Sequence, residues 1–487
     1  MIDVAIVGCG PVGALLANRL GAYGLQVAVF ERDAALWRLP RAVHFDGEVM
    51  RIFQAAGLAT EVAAIARPGT RGMHFVDAAG RTLLIRGVAD GPGPQGWATS
   101  YYFHQPDLER VLRAGLARFA NVRVQLGREV RAIVQSETCA TLELEHEHIA
   151  ARYVVGCDGA RSLVRRLIGG GEIDLGLDQP WLVVDLLLKR DIGLPDHTVQ
   201  HCDPARPMTE VCVSAQRRRW EIMLMPGDDR AGITAPERVW ALIGARIAPH
   251  DAEIERAALY TFHSLIATRW RDRRLLIAGD SAHQTPPFLG QGMCAGMRDA
   301  ANLAWKLAAV IRRQAPEALL ETYASERLPQ VRAFIALAVE LGDIIQTTDA
   351  ARAAARDRGF ADGAPRVFQF PAPALGPGAY LGTAPAGTLF PQPRLADGAR
   401  LDDVVGDRFA VIGPASVLEA ASAQAKRAWR ALDVAQLRDP GGDTIAWLRA
   451  ANAQALVLRP DRYVFALARD AQALDAASRA LPGARQP

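Results

Sequence analysis

The chain lacks the cysteine pattern of a disulfide-rich or zinc-binding protein. Its 487 residues include 6 cysteines and no C-x-x-C pair, which argues against a disulfide scaffold, a zinc site and a redox dithiol. It also lacks an excess of charge of either sign, with 56 basic and 53 acidic residues. Because a near-neutral chain has no strong field for phosphates, we expect no nucleic-acid partner.

Long apolar segments are missing as well. No stretch reaches the roughly 20 apolar residues that span a bilayer, and the N-terminus has neither the basic lead-in nor the cleavage site of a signal peptide. We therefore expect no membrane partner and a reducing, cytoplasmic location. With 50% hydrophobic and 22% charged residues, the chain is predicted to be globular, with about two to four domains.

The first thirty residues predict a strand, a glycine-rich turn, a helix and a second strand. The turn, GCGPVG at Gly8–Gly13, matches G-x-G-x-x-G. In this pattern the first glycine makes the turn, the second lets the backbone approach a pyrophosphate, and the third lets helix pack on strand. Glu31 ends the second strand, where an acid binds a ribose 2′-hydroxyl, so FAD or NAD is predicted here and not NADP. The alternative is a glycine-rich turn without a ligand.

A second segment, YVVGCDGARS at Tyr153–Ser162, is a buried strand that ends in Asp158 and Gly159. An Asp-Gly pair after a strand is usually a simple turn. By itself this segment therefore carries no functional prediction.

A third segment, LLIAGDSAHQTPPFLGQGM at Leu275–Met293, also runs from a buried strand into an acid, Asp280. A Pro-Pro pair stiffens the loop that follows, and Gly290 and Gly292 let backbone amides approach a ligand at a helix start. The alternatives are a loop without a ligand and, for His283, a structural histidine.

Together the three motifs resemble those of the class A flavoprotein aromatic hydroxylases, which share the para-hydroxybenzoate hydroxylase fold. GCGPVG is similar to their dinucleotide fingerprint, CDGARS to their Asp-Gly motif and GDSAHQTPPFLGQG to their Gly-Asp motif. HCDPARP and GMRDAANLAWKLA resemble the 3-(3-hydroxyphenyl)propionate hydroxylase branch, and FPQPRLADGARLDDVVG resembles its thioredoxin-like C-terminal domain. The resemblance covers most of the chain and leaves the substrate open.

The resemblance implies an α/β fold, in which a Rossmann-like FAD-binding domain carries an inserted mixed or antiparallel substrate sheet. A long helical region and a C-terminal thioredoxin-like domain follow. No cysteine comes after Cys294, so the last domain should be structural or oligomeric, with a homodimer as one expected assembly. The predicted boundaries are 1–180 for the first part of the FAD-binding domain (with an excursion to the substrate domain at 70–100), 181–268 for the substrate sheet, 269–348 for the second part and the long helices, 349–387 for a linker and 388–487 for the thioredoxin-like domain.

The resemblance also implies roles for individual residues. Glu31 would bind the adenosine ribose, Arg41 the FAD phosphates, Gln105 the flavin side of the cofactor and Asp280 the ribityl chain. For Arg41 and Gln105 the alternatives are a solvated surface arginine and a helix N-terminal polar residue. The expected FAD contacts are Gly8, Gly10, Pro11, Val12, Gly13, Glu31, Arg32, Arg41, Gln105, Asp158, Gly159, Gly279, Asp280, Pro287, Gly290, Gln291, Gly292, Met293 and Cys294.

Two further points concern the cofactors. Asp158, Gly159 and Arg161 are expected near the passing nicotinamide of NADPH or NADH, and the choice between them stays open because the fold has no second dinucleotide fingerprint. Cys294 stands where many relatives have asparagine. Backbone amides usually meet the flavin's pyrimidine edge at this point, so the cysteine need not abolish binding, but a side-chain hydrogen bond there is no longer implied.

The activity that the resemblance implies is hydroxylation of a small phenolic substrate with NAD(P)H and O2 through a flavin C4a-hydroperoxide. It would serve aromatic catabolism or the tailoring of an aromatic metabolite. A base near the substrate hydroxyl would help because a phenolate is the better nucleophile. The candidates for this base are His44, His201, His283 and Tyr101, and the expected walls of the substrate pocket are Trp220, Met223 and Met225.

Two other functions stay open. An FAD-dependent reductase or dehydrogenase could use the same scaffold without transferring oxygen. A non-enzymatic flavin-binding scaffold could use the C-terminal unit as an interaction module. The complete loop Pro286–Gly292 favours the hydroxylase, because a scaffold that merely binds FAD would not need it.

Overall fold

A computed structural model describes residues 1–36, 41–88, 91–360, 363–369, 372–395 and 397–484. Its strands are β1 Ile2–Val7, β2 Val27–Glu31, β3 His44–Asp46, β4 Ala66–Pro68, β5 Met73–Val76, β6 Thr82–Arg86, β7 Ser100–Phe103, β8 Val122–Leu126, β9 Ala132–Gln135, β10 Ala140–Glu143, β11 His148–Gly156, β12 Glu172–Leu188, β13 Thr198–His201, β14 Met208–Cys212, β15 Arg217–Met223, β16 Ala252–Ala267, β17 Arg271–Asp272, β18 Leu275–Ile277, β19 His283–Gln284, β20 Arg366–Phe368, β21 Ala410–Gly413, β22 Ala435–Arg438, β23 Ala455–Leu458 and β24 Val464–Ala468. Its α-helices are α1 Pro11–Ala22, α2 Gly47–Ala55, α3 Ala59–Ile65, α4 Gln105–Leu116, α5 Leu163–Ile168, α6 Pro236–Ile243, α7 Gly292–Ile311, α8 Glu321–Ile345, α9 Ala350–Phe360, α10 Leu401–Val405, α11 Ala415–Glu419, α12 Ala423–Ala431, α13 Gly442–Ala450 and α14 Ala471–Arg479. Short 3₁₀ turns cover Gly279–Ser281, Pro287–Leu289 and Glu317–Leu320.

The first sheet brings the ends of parallel strands to one edge. Its main path is β17-β18-β11-β1-β2-β8, and the pairs from β18 to β8 are parallel. Val7 pairs with Phe30 on one side and Gly156 on the other, and Gly156 pairs with Ile277. The three predicted motifs follow these residues directly, so they share the carboxyl edge, where doubly wound sheets bind ligands.

Two helices that begin at this edge pack closely against each other. Helix α1 has Pro11 in its first turn. Proline suits this position because backbone N–H groups in the first turn have no partner within the helix, and proline has no N–H to leave unpaired. Helix α7 crosses it at Gly296, where a Cβ would lie 2.5 Å from Val12. The predicted Rossmann-like arrangement of strand, glycine turn and helix is thereby confirmed.

The inserted sheet is mixed and has nine strands in the order β19-β16-β12-β15-β14-β13-β5-β6-β20. Its pairs are antiparallel except for β13 with β5 and β20 with β6. One face packs under α6 through a cluster that includes Trp220, Ile222 and Ile243. The other face packs Trp181 and Met223 against the 3₁₀ turn Pro287–Leu289, so it looks toward the carboxyl edge of the first sheet. We call this second face the inner face.

The segment expected to be a linker contains regular structure. Helix α9 and strand β20 both lie within residues 349–387, and β20 pairs with β6 at the edge of the nine-stranded sheet. Phe360 and Phe368 pack against the cluster that holds Phe288. The segment is rich in alanine, arginine, glycine and proline, which is why the sequence predicts a linker. Strand β20 forms because the open edge of the nine-stranded sheet offers it hydrogen-bonding partners.

The C-terminal unit has a four-stranded sheet in the order β22-β21-β23-β24, with β21 and β22 parallel and the other pairs antiparallel. The unit predicted to be thioredoxin-like is thus a mixed sheet with helices. Its Phe409 meets Trp305 of α7 edge-on, with ring centroids 5.5 Å apart, so the unit is packed on the helical region. Among the described helices, none has the length and apolar character needed to cross a membrane.

A buried charge network joins this unit to the long helices. Glu326 of α8 accepts hydrogen bonds from Lys306 Nζ at 2.7 Å, Asn302 Nδ2 at 2.7 Å and Arg459 Nη2 at 2.8 Å. Arg459 also bonds Asp461 Oδ2 at 2.6 Å. Burial alone would raise the pKa of Glu326, but Arg459 and Lys306 hold it well below its ordinary value. The glutamate is therefore an anion that two buried cations require.

We expect Glu326→Ala to lower the free energy of unfolding by about 3–5 kcal/mol, because it leaves the buried Lys306 and Arg459 without their shared anion. Urea unfolding followed by tryptophan fluorescence measures the loss. Glu321→Ala is the matched control on the same helix, since Glu321 is 70% exposed and should cost at most about 1 kcal/mol. Equal losses in the two variants would contradict the role given to the buried network.

Candidate functional site

The glycines of the first turn have different surroundings. Gly8 has φ +101°, and a Cβ there would lie 2.3 Å from the Cys157 carbonyl oxygen. A Cβ at Gly13 would lie 2.1 Å from the Gly8 oxygen, whereas one at Gly10 would meet no atom within 4 Å. The space before Gly10 opens at the N-terminus of α1, which no side chain caps. Free space and unpaired amides at a helix start suit a pyrophosphate.

The acid after β2 closes the same turn. Glu31 Oε2 accepts a hydrogen bond from the Cys9 amide at 2.8 Å, and Oε1 accepts one from the Asp33 amide at 3.0 Å. The carboxylate stays partly exposed beside the turn, and the neighbouring Arg32 is exposed. The structure thus places Glu31 where the sequence expects a ribose, and the ribose contact itself remains a prediction.

Arg41 and Asp280 face each other across the open edge. Arg41 Nη1 lies 3.9 Å from Asp280 Oδ2, and the side chains are 57% and 44% exposed. Gln105 Oε1 accepts hydrogen bonds from the Arg41 amide at 2.8 Å and the Ala42 amide at 2.7 Å, and its Nε2 donates to Glu109 at 2.7 Å. Gln105 therefore fixes the backbone at Arg41, because its amide oxygen and its amide nitrogen are both already hydrogen-bonded within the protein.

The Asp-Gly motif ties two of the strand ends together. Asp158 Oδ1 accepts hydrogen bonds from Ser162 Oγ at 2.5 Å and Ser281 Oγ at 3.0 Å, while Oδ2 accepts one from the Leu163 amide at 2.6 Å. Ser281 in turn accepts one from the Gly159 amide at 3.0 Å. The carboxylate thus caps α5 and braces the turn that carries Asp280. The role of Ser281 was missed, although it stands inside the Gly-Asp motif.

Other predicted contacts take different positions. A Cβ at Gly159 would meet no atom within 4 Å, so this glycine faces open space. Arg161 is exposed and lies just before α5. Gly279 has φ +65°, and a Cβ there would lie 3.0 Å from Val12, so the pair Val12 and Gly279 serves helix packing.

The loop from Pro287 to Cys294 presents backbone to the open edge. Gly290 has φ +63°, and α7 begins at Gly292 without a side-chain cap. The side chain of Gln291 turns inward, donating to Asp46 Oδ2 at 3.2 Å and accepting from Arg298 Nη1 at 3.1 Å. Any contact of this loop with a flavin is therefore left to its amides.

The last residues of this loop are turned toward the protein. Met293 packs on the main core. Cys294 is buried, with Sγ 3.5 Å from the Gly290 carbonyl oxygen, and burial raises the pKa of its thiol well above the ordinary value. Because the Cys294 thiol is neutral and contacts its own loop, the start of α7 would meet a ligand through its backbone amides.

Two of the four candidate bases lie in the core. His283 Nε2 is 2.7 Å from Asp299 Oδ2 with the side chain fully buried, and its ring lies 5.5 Å from that of Trp270. Tyr101 stacks on Phe45 at 5.0 Å. These contacts are those of structural residues, which was the alternative stated for His283.

The other two candidates lie on different faces. His201 Nδ1 is 3.2 Å from Arg246 Nη2, and its Nε2 is 3.7 Å from Glu210. Glu210 pairs with Trp220 across β14 and β15, so His201 looks toward α6. His44 instead lies beside the loop from Pro287 to Cys294, because a Cβ at Gly290 would be 3.2 Å from its ring.

His44 is buried in a polar contact. Its Nε2 lies 2.9 Å from Ser100 Oγ and 3.4 Å from Arg86 Nη2. Burial and the positive charge of Arg86 lower the pKa of His44 to about 3. The imidazole is therefore neutral at pH 7 and has little affinity for a proton.

The alternation along β15 separates the predicted pocket residues. Trp220 is fully buried in the cluster under α6, whereas Met223 and Met225 belong to the cluster with Phe288 on the inner face. Because successive side chains of a strand point to opposite faces, Trp220 cannot share a wall with Met223. The structure therefore places Trp220 in the packing under α6, on the face of the sheet opposite Met223 and Met225.

Arg219 and Glu221 share the inner face with Met223, and sequence reasoning missed both. Arg219 Nε and Nη2 bond Asp185 at 2.7 and 3.2 Å, and Nη1 donates to the Arg41 carbonyl oxygen at 2.7 Å. The arginine thus connects the inserted sheet to the open edge. The sequence did offer a signal, because charged and apolar residues alternate from Arg219 to Ile222 in the strand RRRWEIM. The structure shows that this strand is buried despite its charges.

Comparison with known proteins gives two family matches. A protein-family model described as an FAD binding domain matches residues 1–338, and one described as the HcaD C-terminal domain matches residues 387–438 and 432–484. The chain is 38% identical to a probable NADH-specific resorcinol 4-hydroxylase of Rhodococcus jostii, over 100% of this chain and 96% of that one. It is 36% identical to a 3-(3-hydroxy-phenyl)propionate/3-hydroxycinnamic acid hydroxylase of Mycolicibacterium gilvum, over 96% and 89%.

Solved structures share the whole fold. Aklavinone-11 hydroxylase, in a ternary complex with FAD and aklavinone, superposes with a TM-score of 0.83 at 25% identity, covering 99% of both chains. The flavin-dependent monooxygenase PieE, in complex with FAD and substrate, gives a TM-score of 0.85 at 22% identity, covering 100% of this chain and 99% of that one. At this identity the second match speaks for the fold alone.

We expect Gly10→Ala to lower FAD affinity at least tenfold while leaving the stability of the FAD-free protein unchanged, because its Cβ enters space that only a ligand would fill. Gly13→Ala is the contrasting variant, since its Cβ would clash with the Gly8 carbonyl and destabilise the FAD-free protein. Flavin fluorescence titration and thermal unfolding separate the two effects. A Gly10→Ala protein that binds FAD normally would contradict the placement of the pyrophosphate.

Proposed function

The chain belongs to the FAD-binding-domain family of aromatic hydroxylases, and from that membership we propose that it hydroxylates a phenolic ring with NAD(P)H and O2. The observation that carries the proposal is that the motifs meet at one edge of the first sheet. There Asp280 follows β18, while Gly10 and Gly292 stand at the starts of α1 and α7. Relatives at 36–38% identity along nearly the whole chain are named for resorcinol and for hydroxyphenylpropionate, which supports an aromatic hydroxylase.

The residues at this edge fit FAD. The open cradle at Gly10 and the uncapped start of α1 would hold the pyrophosphate, and the uncapped start of α7 at Gly292 would meet the pyrimidine edge of the flavin. Glu31 and Asp280 would accept hydrogen bonds from the ribose and ribityl hydroxyls. Bound FAD would supply the electron transfer from NAD(P)H and the activation of oxygen.

The inserted sheet would position the aromatic ring. Trp181 and Met223 of the inner face pack with Phe288 of the loop, and the Trp181 and Phe288 rings lie 5.6 Å apart. These apolar side chains exclude water from the place where ring and flavin would meet, which protects the reacting groups from hydrolysis and side reactions. His44, neutral and bonded to Ser100, would contribute a polar contact at the same place.

The test is turnover by the purified chain with a panel of phenols. We expect a yellow protein with non-covalent FAD that couples NAD(P)H oxidation to oxygen uptake and to a product one oxygen atom heavier. NADH is the first reductant to use, because the resorcinol relative is named as NADH-specific. NAD(P)H oxidation without any hydroxylated product would favour a reductase instead. A homodimer and a cytoplasmic location remain predictions.

We expect Asp280→Ala to lose FAD affinity by about ten- to a hundredfold. A carboxylate that accepts hydrogen bonds contributes about 1.5–3 kcal/mol, and each 1.4 kcal/mol is about tenfold. Asp191→Ala is the matched control, because Asp191 is an exposed loop carboxylate that accepts the Gly193 amide at 2.9 Å. Equilibrium dialysis against FAD gives the two affinities. Equal affinities would remove Asp280 from the site.

A further inference from the structure

Glu221 is an acidic residue in the middle of the inner face. It pairs with Thr209 on β14 and with Val183 on β12, so it stands in the central strand of the three. Its neighbours on the same face of β15 are Arg219 and Met223, since side chains two residues apart share a face.

These two neighbours fix what Glu221 faces. Arg219 donates to the Arg41 carbonyl oxygen, and Arg41 lies opposite Asp280 at the cofactor edge. Met223 packs in one cluster with Phe288, which belongs to the loop on the flavin side. Because Glu221 lies between Arg219 and Met223 on β15, its side chain leaves the sheet on the face that looks toward Arg41 and Phe288.

The carboxylate of Glu221 has no hydrogen-bond donor among the residues that the structure describes. The nearest cation is Arg219, with Nη1 3.8 Å from Oε1, and that guanidinium is already engaged with Asp185 and Arg41. The side chain of Glu221 is 11% exposed, so a ligand on the inner face could reach a carboxylate that has no hydrogen-bond donor from the described part of the protein.

The charges around Glu221 come from three strands. Burial raises the pKa of Glu221, Arg219 on its own strand and Arg256 on β16 lower it, and Asp185 on β12 raises it. Burial prevails, so the group holds a proton to a higher pH than an exposed glutamate does. Such a carboxylate gains from a hydroxyl donor and accepts a proton more readily than an ordinary one.

Resting on the proposed function, we propose that Glu221 binds a phenolic hydroxyl of the substrate and takes its proton during ring hydroxylation. In this step the O–H bond of the substrate breaks, its electron pair moves toward the ring that attacks the transferred oxygen, and the proton passes to Oε of Glu221. One atom of O2 forms the new C–O bond of the ring, the O–O bond breaks, and the other atom leaves as water with the two electrons that NAD(P)H supplies. The ring then loses the hydrogen of the hydroxylated carbon as a proton, which restores aromaticity. No further oxidant is needed beyond O2 and NAD(P)H.

The same group selects the substrate class. A substrate carboxylate would repel the ionised Glu221 in a buried site, and the two neighbouring cations, Arg219 and Arg256, are already paired with Asp185. An uncharged phenol or benzenediol instead offers a hydroxyl to Glu221. Between the two substrate classes named for the relatives, this charge favours the benzenediol over the phenol with a carboxylate side chain.

The experiment compares wild type, Glu221→Gln and Glu221→Asp, each loaded with FAD, on resorcinol and 3-(3-hydroxyphenyl)propionate. Isothermal titration calorimetry gives dissociation constants, and product formation gives kcat against pH. Glu255→Gln is the matched control, because Glu255 lies on β16 and pairs with Arg217 near solvent. Equal FAD content and equal thermal unfolding midpoints show that the variants are folded.

We expect wild type to bind resorcinol at least tenfold more tightly than the propionate, and Glu221→Gln to reduce that ratio at least tenfold. The kcat for resorcinol should fall by about 10²–10⁴ in Glu221→Gln, the usual contribution of a general base. In wild type kcat should rise with pH as Glu221 ionises. This rise of kcat with pH should persist in Glu221→Asp and vanish in Glu221→Gln. The activity of Glu221→Gln should recover only near the phenol's own pKa of about 10.

The outcomes separate this inference from the proposed function. If Glu221→Gln keeps the wild-type kcat, pH profile and binding ratio, Glu221 has no such role. If Glu221→Gln does not fold, the wild-type preference decides, and tighter binding of the propionate than of resorcinol would overturn the inference. If wild type hydroxylates no phenol at all, the proposed function fails, whatever Glu221 does.

Discussion

The parallel hydrogen bonding of β2, β1, β11 and β18 is the constraint on which the site depends. The motifs that end these strands are far apart in the chain and meet only because Val7, Gly156 and Ile277 stand in register. Two contacts lock this arrangement, the close packing of Gly8 on Cys157 and the Asp158–Ser281 hydrogen bond. Since parallel pairing places all carboxyl ends on one side, four short apolar strands suffice to build the edge.

Buried charges then orient the helices that point at this edge. Asp299 of α7 lies between His283 and Arg327 at 2.7 and 2.9 Å, and its contacts with these two side chains hold the pKa of Asp299 at about 2 although burial would raise it. Further along α7, Lys306 meets Glu326, which reaches the C-terminal unit through Arg459. The C-terminal unit therefore supports the site at a distance, because it packs on the helix whose first turn opens at the shared edge of the first sheet.

The sequence predicts the parts of the site that local patterns encode. The glycine turn, Glu31 and Asp280 follow short apolar strands, and each pattern is complete within a few residues. Trp220 and Glu221 show where this reasoning ends. They are adjacent in the chain, and only the pairing of β15 with its neighbours tells which of them faces the site. Strand β20 was unpredictable for a related reason, since it forms on an edge supplied by distant residues.

The titration of the groups near the inner face argues for a division of roles between His44 and Glu221. Both are buried, but burial acts oppositely on the two: it lowers the pKa of an imidazole and raises that of a carboxyl, because in each case it disfavours the charged form. Arg86 lowers the pKa of His44 further, to about 3, so its ring stays neutral and binds protons weakly. Where the surroundings move the pKa values of two groups apart, one group can accept a proton while the other stays a neutral polar partner. Here Glu221 is the acceptor and His44 is the neutral partner.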